Sequence, residues 1–382
     1  MKEIELKKLR KRREKHFLQE DGTIIAKVYG EDIHFKKGNE YKEIDNTLVK
    51  ENEYYTNNKN EYKVYFKENS SDSLMKVEEN NHFLEISLLD TNNVPIIKKE
   101  NTSKLTDSVV YEEVLNGIDL EYKVLPTKVK ENIIIKNKNS VPNKLCFSVK
   151  TNLQLEVHNK IILAKDNQKI IFRLDAPYMI DANNNYNKII YYNLIQTEEG
   201  YKLELILDKE WLENAIYPVV IDPTITNKAQ NNSVYDTYIY QGDTGTDRNS
   251  QDVLKVGVEK VNNQDIINRT LIKFDLPTIG TGSQVVYAEL NLVGFPLNEI
   301  SYEYDVVNIH RITSPWTETS ATWENMNNNY DPRVEGSFES YRSFIDENGV
   351  ITVSLNGTNI TSLVKKWYSG LENNGIMLKE NK

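Results

Sequence analysis

Residues 145–157 read Leu145-Cys146-Phe147-Ser148-Val149-Lys150-Thr151-Asn152-Leu153-Gln154-Leu155-Glu156-Val157. Leu145, Phe147 and Val149 alternate with small or polar residues, and Leu153, Leu155 and Val157 repeat the pattern after Thr151-Asn152. A period of two puts these side chains on one face of a half-buried strand. A helix would need apolar residues three and four apart.

The same alternation extends in both directions. Tyr62, Val64 and Phe66 form one face, and Leu120, Tyr122 and Val124 another. Ile170, Phe172 and Leu174 follow, then Leu203, Leu205 and Leu207. Asn116-Gly117, Asp166-Asn167, Asn183-Asn184-Asn185 and Glu199-Gly200 punctuate the segments as turn signals. Many short strands at regular spacing predict antiparallel sandwiches or meanders, not alternating β and α units.

The chain has 382 residues, too many for one ordinary core. We expect a charged tail over 1–22, a β-rich module over 23–224, a linker over 225–233 and a second module over 234–382. The tail interleaves Lys7, Lys8, Arg10, Lys11, Arg12, Arg13 and Lys15 with Glu3, Glu5 and Glu14, which reads as a solvated, partly helical segment. Two prolines bracket the apolar run at Tyr217-Pro218-Val219-Val220-Ile221-Asp222-Pro223, which suits an edge strand. A polar stretch, Asn227-Lys228-Ala229-Gln230-Asn231-Asn232-Ser233, follows.

Alternation resumes at Leu254, Val256 and Val258, then Ile272, Phe274 and Leu276, then Val286, Ala288, Leu290 and Leu292. One helix is expected near the end, because Ile360, Leu363, Val364 and Trp367 follow i, i+3, i+4, i+7. Thr361 is its expected N-cap and Gly370 its C′ residue. The fold class is all-β: two antiparallel β-sandwich modules with one short C-terminal helix.

The formal net charge of -10 argues against generic affinity for nucleic acid or an anionic membrane. No apolar run approaches the ~20 residues that span a bilayer, so no membrane insertion is expected. The first residues also lack a signal-peptide core. Cys146 is the single cysteine, which excludes an intrachain disulfide and a thiolate zinc cluster. Its setting between Leu145 and Phe147 reads as a small buried hydrophobe.

Several motifs carry a family resemblance. Leu271-Ile272-Lys273-Phe274-Asp275-Leu276 precedes Ala288-Glu289-Leu290-Asn291-Leu292. Trp316-Thr317-Glu318-Thr319-Ser320-Ala321-Thr322-Trp323 and Asn374-Gly375-Ile376-Met377-Leu378 come after. This order resembles the DNRLRE-type domain, and the resemblance implies a jelly-roll module similar to some carbohydrate-binding modules. In the first module, Tyr41–Leu48, Gly117–Tyr122 and Tyr217–Pro223 are similar to the N-terminal region of wall-associated, Rhs (YD-repeat) bacterial surface proteins. That resemblance implies an extracellular or cell-surface location, and a downstream YD-repeat or toxin polypeptide as partner. Such domains usually have a further strand after the N-x-G-x-x-L element, so the module is expected to lack its last strand.

The histidines, His16, His34, His82, His158 and His310, fall in no HExxH, and neither G-x-S-x-G nor a P-loop occurs. No catalytic residue is nominated and no enzymatic activity is expected. His310 reads as structural. Sugar-binding sandwiches use exposed aromatic faces with flanking polar groups. The candidates are Tyr238, Tyr240, Trp316 and Tyr330, while Trp323 and Trp367 read as core. Asp243, Asp247 and Asn249 could supply calcium with oxygen ligands, although a plain turn explains them as well; no other cofactor is expected. The leading expectation is a surface-recognition or adaptor region that binds polysaccharide. The alternative is a purely structural scaffold of a toxin-delivery protein with no small ligand.

Overall fold

The computed structural model describes residues 3–70, 75–99, 103–158, 160–183, 185–227, 234–242, 254–261, 264–294, 306–339, 344–345 and 351–380. Strands dominate, and the α-helices among these residues are three short ones, Lys209–Asn214, Trp323–Met326 and Thr361–Tyr368. The chain divides into two compact units, Met1–Asn231 and Asn232–Lys382.

The first unit is a sandwich of two large antiparallel sheets. One runs, in spatial order, Tyr191–Thr197, Gly200–Ile206, Leu145–Thr151, His82–Leu88, Met75–Glu79, Lys63–Lys67, Tyr54–Lys59 and Asp45–Glu51. The other includes Asp107–Leu115, Ile118–Val124, Lys128–Ile135, Ile225–Asn227, Lys169–Leu174, Ile161–Asp166 and Gln154–His158. A single apolar cluster joins them, with Val64, Phe66, Leu84 and Phe147 from the first sheet facing Leu120, Tyr122, Ile133 and Phe172 from the second. The rings of Phe66 and Tyr122 meet at 5.2 Å between centroids.

The stretch 145–157 is split between the sheets. Leu145–Thr151 lies inside the first, and Gln154–His158 is the last strand of the second. Asn152-Leu153 is therefore the crossover, and alternation continues through it because both faces line the same core. Val157, at the edge, is exposed. Cys146 is half-buried on the face opposite Leu145 and Phe147, across from Glu204, so it is not the core hydrophobe that its neighbours suggested.

The charged tail is a correction. Ile4–Glu5, Glu14–Leu18 and Ile24–Val28 form a three-stranded sheet, and Arg13, Glu14 and His16 are buried. Arg10 and Lys11 pair locally with Glu5 and Glu14, and other charges are satisfied by acids farther along the chain. Arg13 Nε lies 2.7 Å from Asp32, and Arg12 bridges Asp32 at 3.2 Å and Glu61 at 2.8 Å. The expected linker is corrected in part: Ile225–Asn227 is a strand between Lys128–Ile135 and Lys169–Leu174. The rest of it lies outside the described residues.

The second unit has a sheet ordered Val234–Tyr240, Gln264–Phe274, Ile376–Glu380, Val306–Ile312 and Tyr330–Glu339, with Gly257–Val261 also on Gln264–Phe274. A smaller sheet pairs Glu289–Gly294 with Ile351–Asn359. Ile272, Ile309, Ile376 and Leu378 of the large sheet pack with Leu290, Leu363, Val364 and Trp367. Ile376–Glu380 pairs on both sides and is no edge.

Helix Thr361–Tyr368 buries the expected stripe and ends at Gly370, whose φ is +100°. Its N-cap position is Ile360, not Thr361. The Asn359 side chain accepts the Thr361 N–H at 2.9 Å, while Thr361 Oγ1 is drawn to the backbone of Ala288. Val286 is 70% exposed, and the strand expected there begins only at Glu289.

Candidate ligand face of the second unit

Alternation in strand Gln264–Phe274 sends Ile272 to the main core and Leu271 to the opposite side of the sheet. There Leu271 joins Ile239, Ile312, Ala321, Met326 and Met377 in a second apolar cluster, rimmed by half-buried Trp316, Trp323 and Tyr330. The motif 316–323 builds the segment that covers this cluster. Trp316 Nε1 donates to the carbonyl of Asn374 at 2.8 Å. Glu318 accepts the backbone N–H of Asp236 at 3.0 Å. Thr322 caps the helix Trp323–Met326, with its side chain and that of Asn325 bonding each other's backbone N–H groups reciprocally. Trp323 opens that helix.

Polar residues of the same strand parity complete the face. The Arg269 guanidinium lies 4.9 Å from the Trp323 ring centroid and 5.7 Å from that of Tyr330. Lys379 Nζ lies 5.4 Å from the Tyr330 ring. His310 meets the same ring edge-on at 4.9 Å. Arg269 also donates to the carbonyl of Asn327. Burial pulls its guanidinium below the ordinary value, and Tyr330 opposes the shift. Burial likewise lowers His310, so its imidazole is neutral near pH 7; its Nδ1 lies 3.0 Å from the Asp331 carbonyl. Two aromatic rings with two cations above them suit the apolar face of a sugar and its oxygen substituents.

The structure separates the sequence-nominated residues. Trp316 and Tyr330 lie on this side. Tyr238 and Tyr240 register with Thr270 and Asn268, on the other side of the sheet from Leu271 and Arg269. Their rings meet at 6.3 Å, and Tyr238 is only 5% exposed, so the open aromatic strand expected there is not present. Trp367 is in the core. Trp323, expected there as well, is half-buried under Arg269. Asp243, Asp247 and Asn249 lie outside the described residues. Arg269, Lys379 and His310 were missed as partners. Their parity with Leu271 and Met377 was the available signal.

In the first unit, ionisable groups gather inside the sandwich. Tyr122 donates to Glu131 at 2.6 Å, and burial pushes the Glu131 carboxyl up to about 7. Beside it is a cavity of about 10 Å³, lined by Ile86, Phe147, Leu174 and Tyr192, with room for about one water. Asp222, from the proline-bracketed run, accepts from Tyr178 at 2.9 Å and from Thr224, and pairs with Lys130 at 2.9 Å.

Residues 227–381 match the model of carbohydrate-binding module family 96. The whole chain is similar to the tRNA nuclease WapA of Bacillus subtilis (strain 168), at 25% identity over 419 residues. It is also similar to the tRNA3(Ser)-specific nuclease WapA of Bacillus spizizenii, at 24% over 410 residues. The chain spans 17% of the length of each of these curated relatives. A wall-associated protein of Geobacillus stearothermophilus is 25% identical over 182 residues, 43% of this chain and 69% of that protein. No solved structure matches. The module family and the wall-associated relative point to a carbohydrate-binding-like role at the cell surface. No helix among the described residues is long and apolar enough to cross a membrane.

These names correct the expectation of no enzymatic activity, because the relatives that match all of this chain are called nucleases. The motifs searched for in the sequence test only a few chemistries, and hydrolysis of a phosphodiester requires none of them.

Proposed function

We propose that the chain is the surface-recognition region of a longer wall polypeptide, and that its second unit binds a cell-surface polysaccharide on the face of Trp323 and Tyr330. The observation that carries this reading is the pair of cations, Arg269 and Lys379, held over the two rings. Rings alone suit a neutral sugar, whereas added cations favour a polymer bearing carboxylates or phosphates. The similarity to a carbohydrate-binding module family over residues 227–381 supports it.

Calorimetry on the 382-residue chain tests the reading against peptidoglycan, teichoic acids and acidic and neutral polysaccharides. Saturable binding lost in Trp323→Ala and Tyr330→Ala, but kept in Tyr240→Ala on the other side of the sheet, supports it. Silence across the panel, or binding indifferent to both face variants, overturns it.

A second reading makes the two units a scaffold for a longer nuclease-bearing chain. The small share of the relatives' length that this chain spans favours it. Normal assembly of such a polypeptide with both face variants, but not with a destabilised second unit, would distinguish the two.

A further inference from the structure

The N-terminal sheet and the hairpin after it bring one imidazole and two carboxylates together. His34 and Glu43 are cross-strand partners in the hairpin His34–Lys37/Glu40–Glu43, and Glu5 comes from the strand Ile4–Glu5. One ligand atom from each of the three lies within 4.8 Å of the others. We propose that this is a site for a divalent transition metal of the zinc class, bound by His34 through Nε2 and by the carboxylates of Glu5 and Glu43.

The imidazole argues most strongly. His34 is fully buried. Its Nδ1 lies 2.7 Å from the carbonyl of Lys11, which can only accept, so the ring proton sits on Nδ1. Nε2 is left as a bare lone pair, sealed from solvent and without a hydrogen-bond partner. An orphaned buried acceptor is costly, and a metal ion removes that cost. A metal-binding histidine commonly has its other ring nitrogen held by a backbone carbonyl in this way. One nitrogen and two carboxylates suit zinc and its neighbours better than calcium, which takes oxygen alone.

Arg10 is the competitor. Its guanidinium grips Glu5 through two bonds of 2.6 and 2.7 Å and reaches Glu43 at 3.1 Å, and Lys15 pairs with Glu43 at 2.9 Å. Two cations thus balance two carboxylates, and an incoming dication must displace the guanidinium. Arg10 therefore sets the affinity, while His34 sets the site.

The test is zinc chloride titrated into the EDTA-treated 382-residue chain, followed by calorimetry and melting temperature, with cobalt(II) absorption reporting nitrogen coordination. One saturable site is expected. Arg10→Gln should tighten it by roughly tenfold. His34→Gln should abolish it, together with the zinc-induced rise in melting temperature. Glu43→Gln, at an exposed carboxylate, should weaken it in a variant that folds. Absence of saturable binding in both the parent chain and Arg10→Gln overturns the proposal. So does an affinity unchanged in His34→Gln and Glu43→Gln.

Discussion

The phenol of Tyr122 donates a 2.6 Å hydrogen bond to the carboxyl of Glu131, its partner on the neighbouring strand, inside the core of the first unit. Desolvation dominates this carboxyl, and the bond from Tyr122 only partly offsets it.

Stability of the first unit should therefore fall as pH rises. With a native value of about 7 against 4.5 for an ordinary Glu, the carboxyl's contribution is fully present below about pH 4.5. It is lost progressively up to about pH 7, a loss on the order of 3 kcal/mol. Glu131→Gln keeps an acceptor for Tyr122 but cannot ionise. Urea denaturation should show it more stable than the parent at about pH 8 and equal at about pH 4. A gain that is the same at both pH values would contradict this account.

Asp222 gathers Tyr178, Thr224 and Lys130 at one buried carboxylate. Asp222→Ala removes one acceptor from each of the three and should cost about 3 to 5 kcal/mol, read from the denaturation midpoint of the first unit. A loss below about 1 kcal/mol would mean that the run 217–223 is held by its apolar residues alone.

Gly375 has a φ of +85°, and a Cβ there would meet the carbonyl oxygen of Ile272 at 2.3 Å and Lys273 Cα at 2.9 Å. Both obstacles are backbone and cannot swing away. Gly375→Ala should cost on the order of 2 to 4 kcal/mol. Hydrogen exchange should quicken along Gln264–Phe274 and Ile376–Glu380 and stay unchanged in the first unit.

Binding to an acidic polymer through Arg269 and Lys379 should weaken as salt rises, because exposed charge attraction is screened beyond about 10 Å at 0.1 M. Arg269→Gln should flatten that salt dependence and reduce affinity. Titrations at low and high sodium chloride measure both. A salt-independent affinity would leave ring stacking as the whole interaction.

The strands were legible because one local rule, alternation, is enough to mark them. Leu145, Phe147 and Val149 behave as that rule requires, as do Ile360, Leu363, Val364 and Trp367 for the helix. What the rule does not carry is pairing. The run from Lys7 to Lys15 looked solvated because the acids that hold Arg12 and Arg13 are distant, as with Arg12 and Glu61, which are 49 residues apart. The face of Tyr238 was misread for a related reason, since parity says which residues share a side but not which side is open. Trp323 was assigned to the core on its strand-like surroundings, yet it begins a helix and carries Arg269 on its ring. The N-cap position falls at Ile360 rather than Thr361, whose side chain is occupied by the backbone of Ala288, a contact across 73 residues.

The position of Ile376–Glu380 has a consequence for how the second unit comes into being. The segments it joins, Gln264–Phe274 and Val306–Ile312, have no ladder to each other and meet only through it. During synthesis both emerge first and wait, their inner edges open, for a keystone made roughly a hundred residues after the earlier of them, so closure of this sheet is a late and slow event. Any partner strand that reached that gap first would be a competitor for the fold itself.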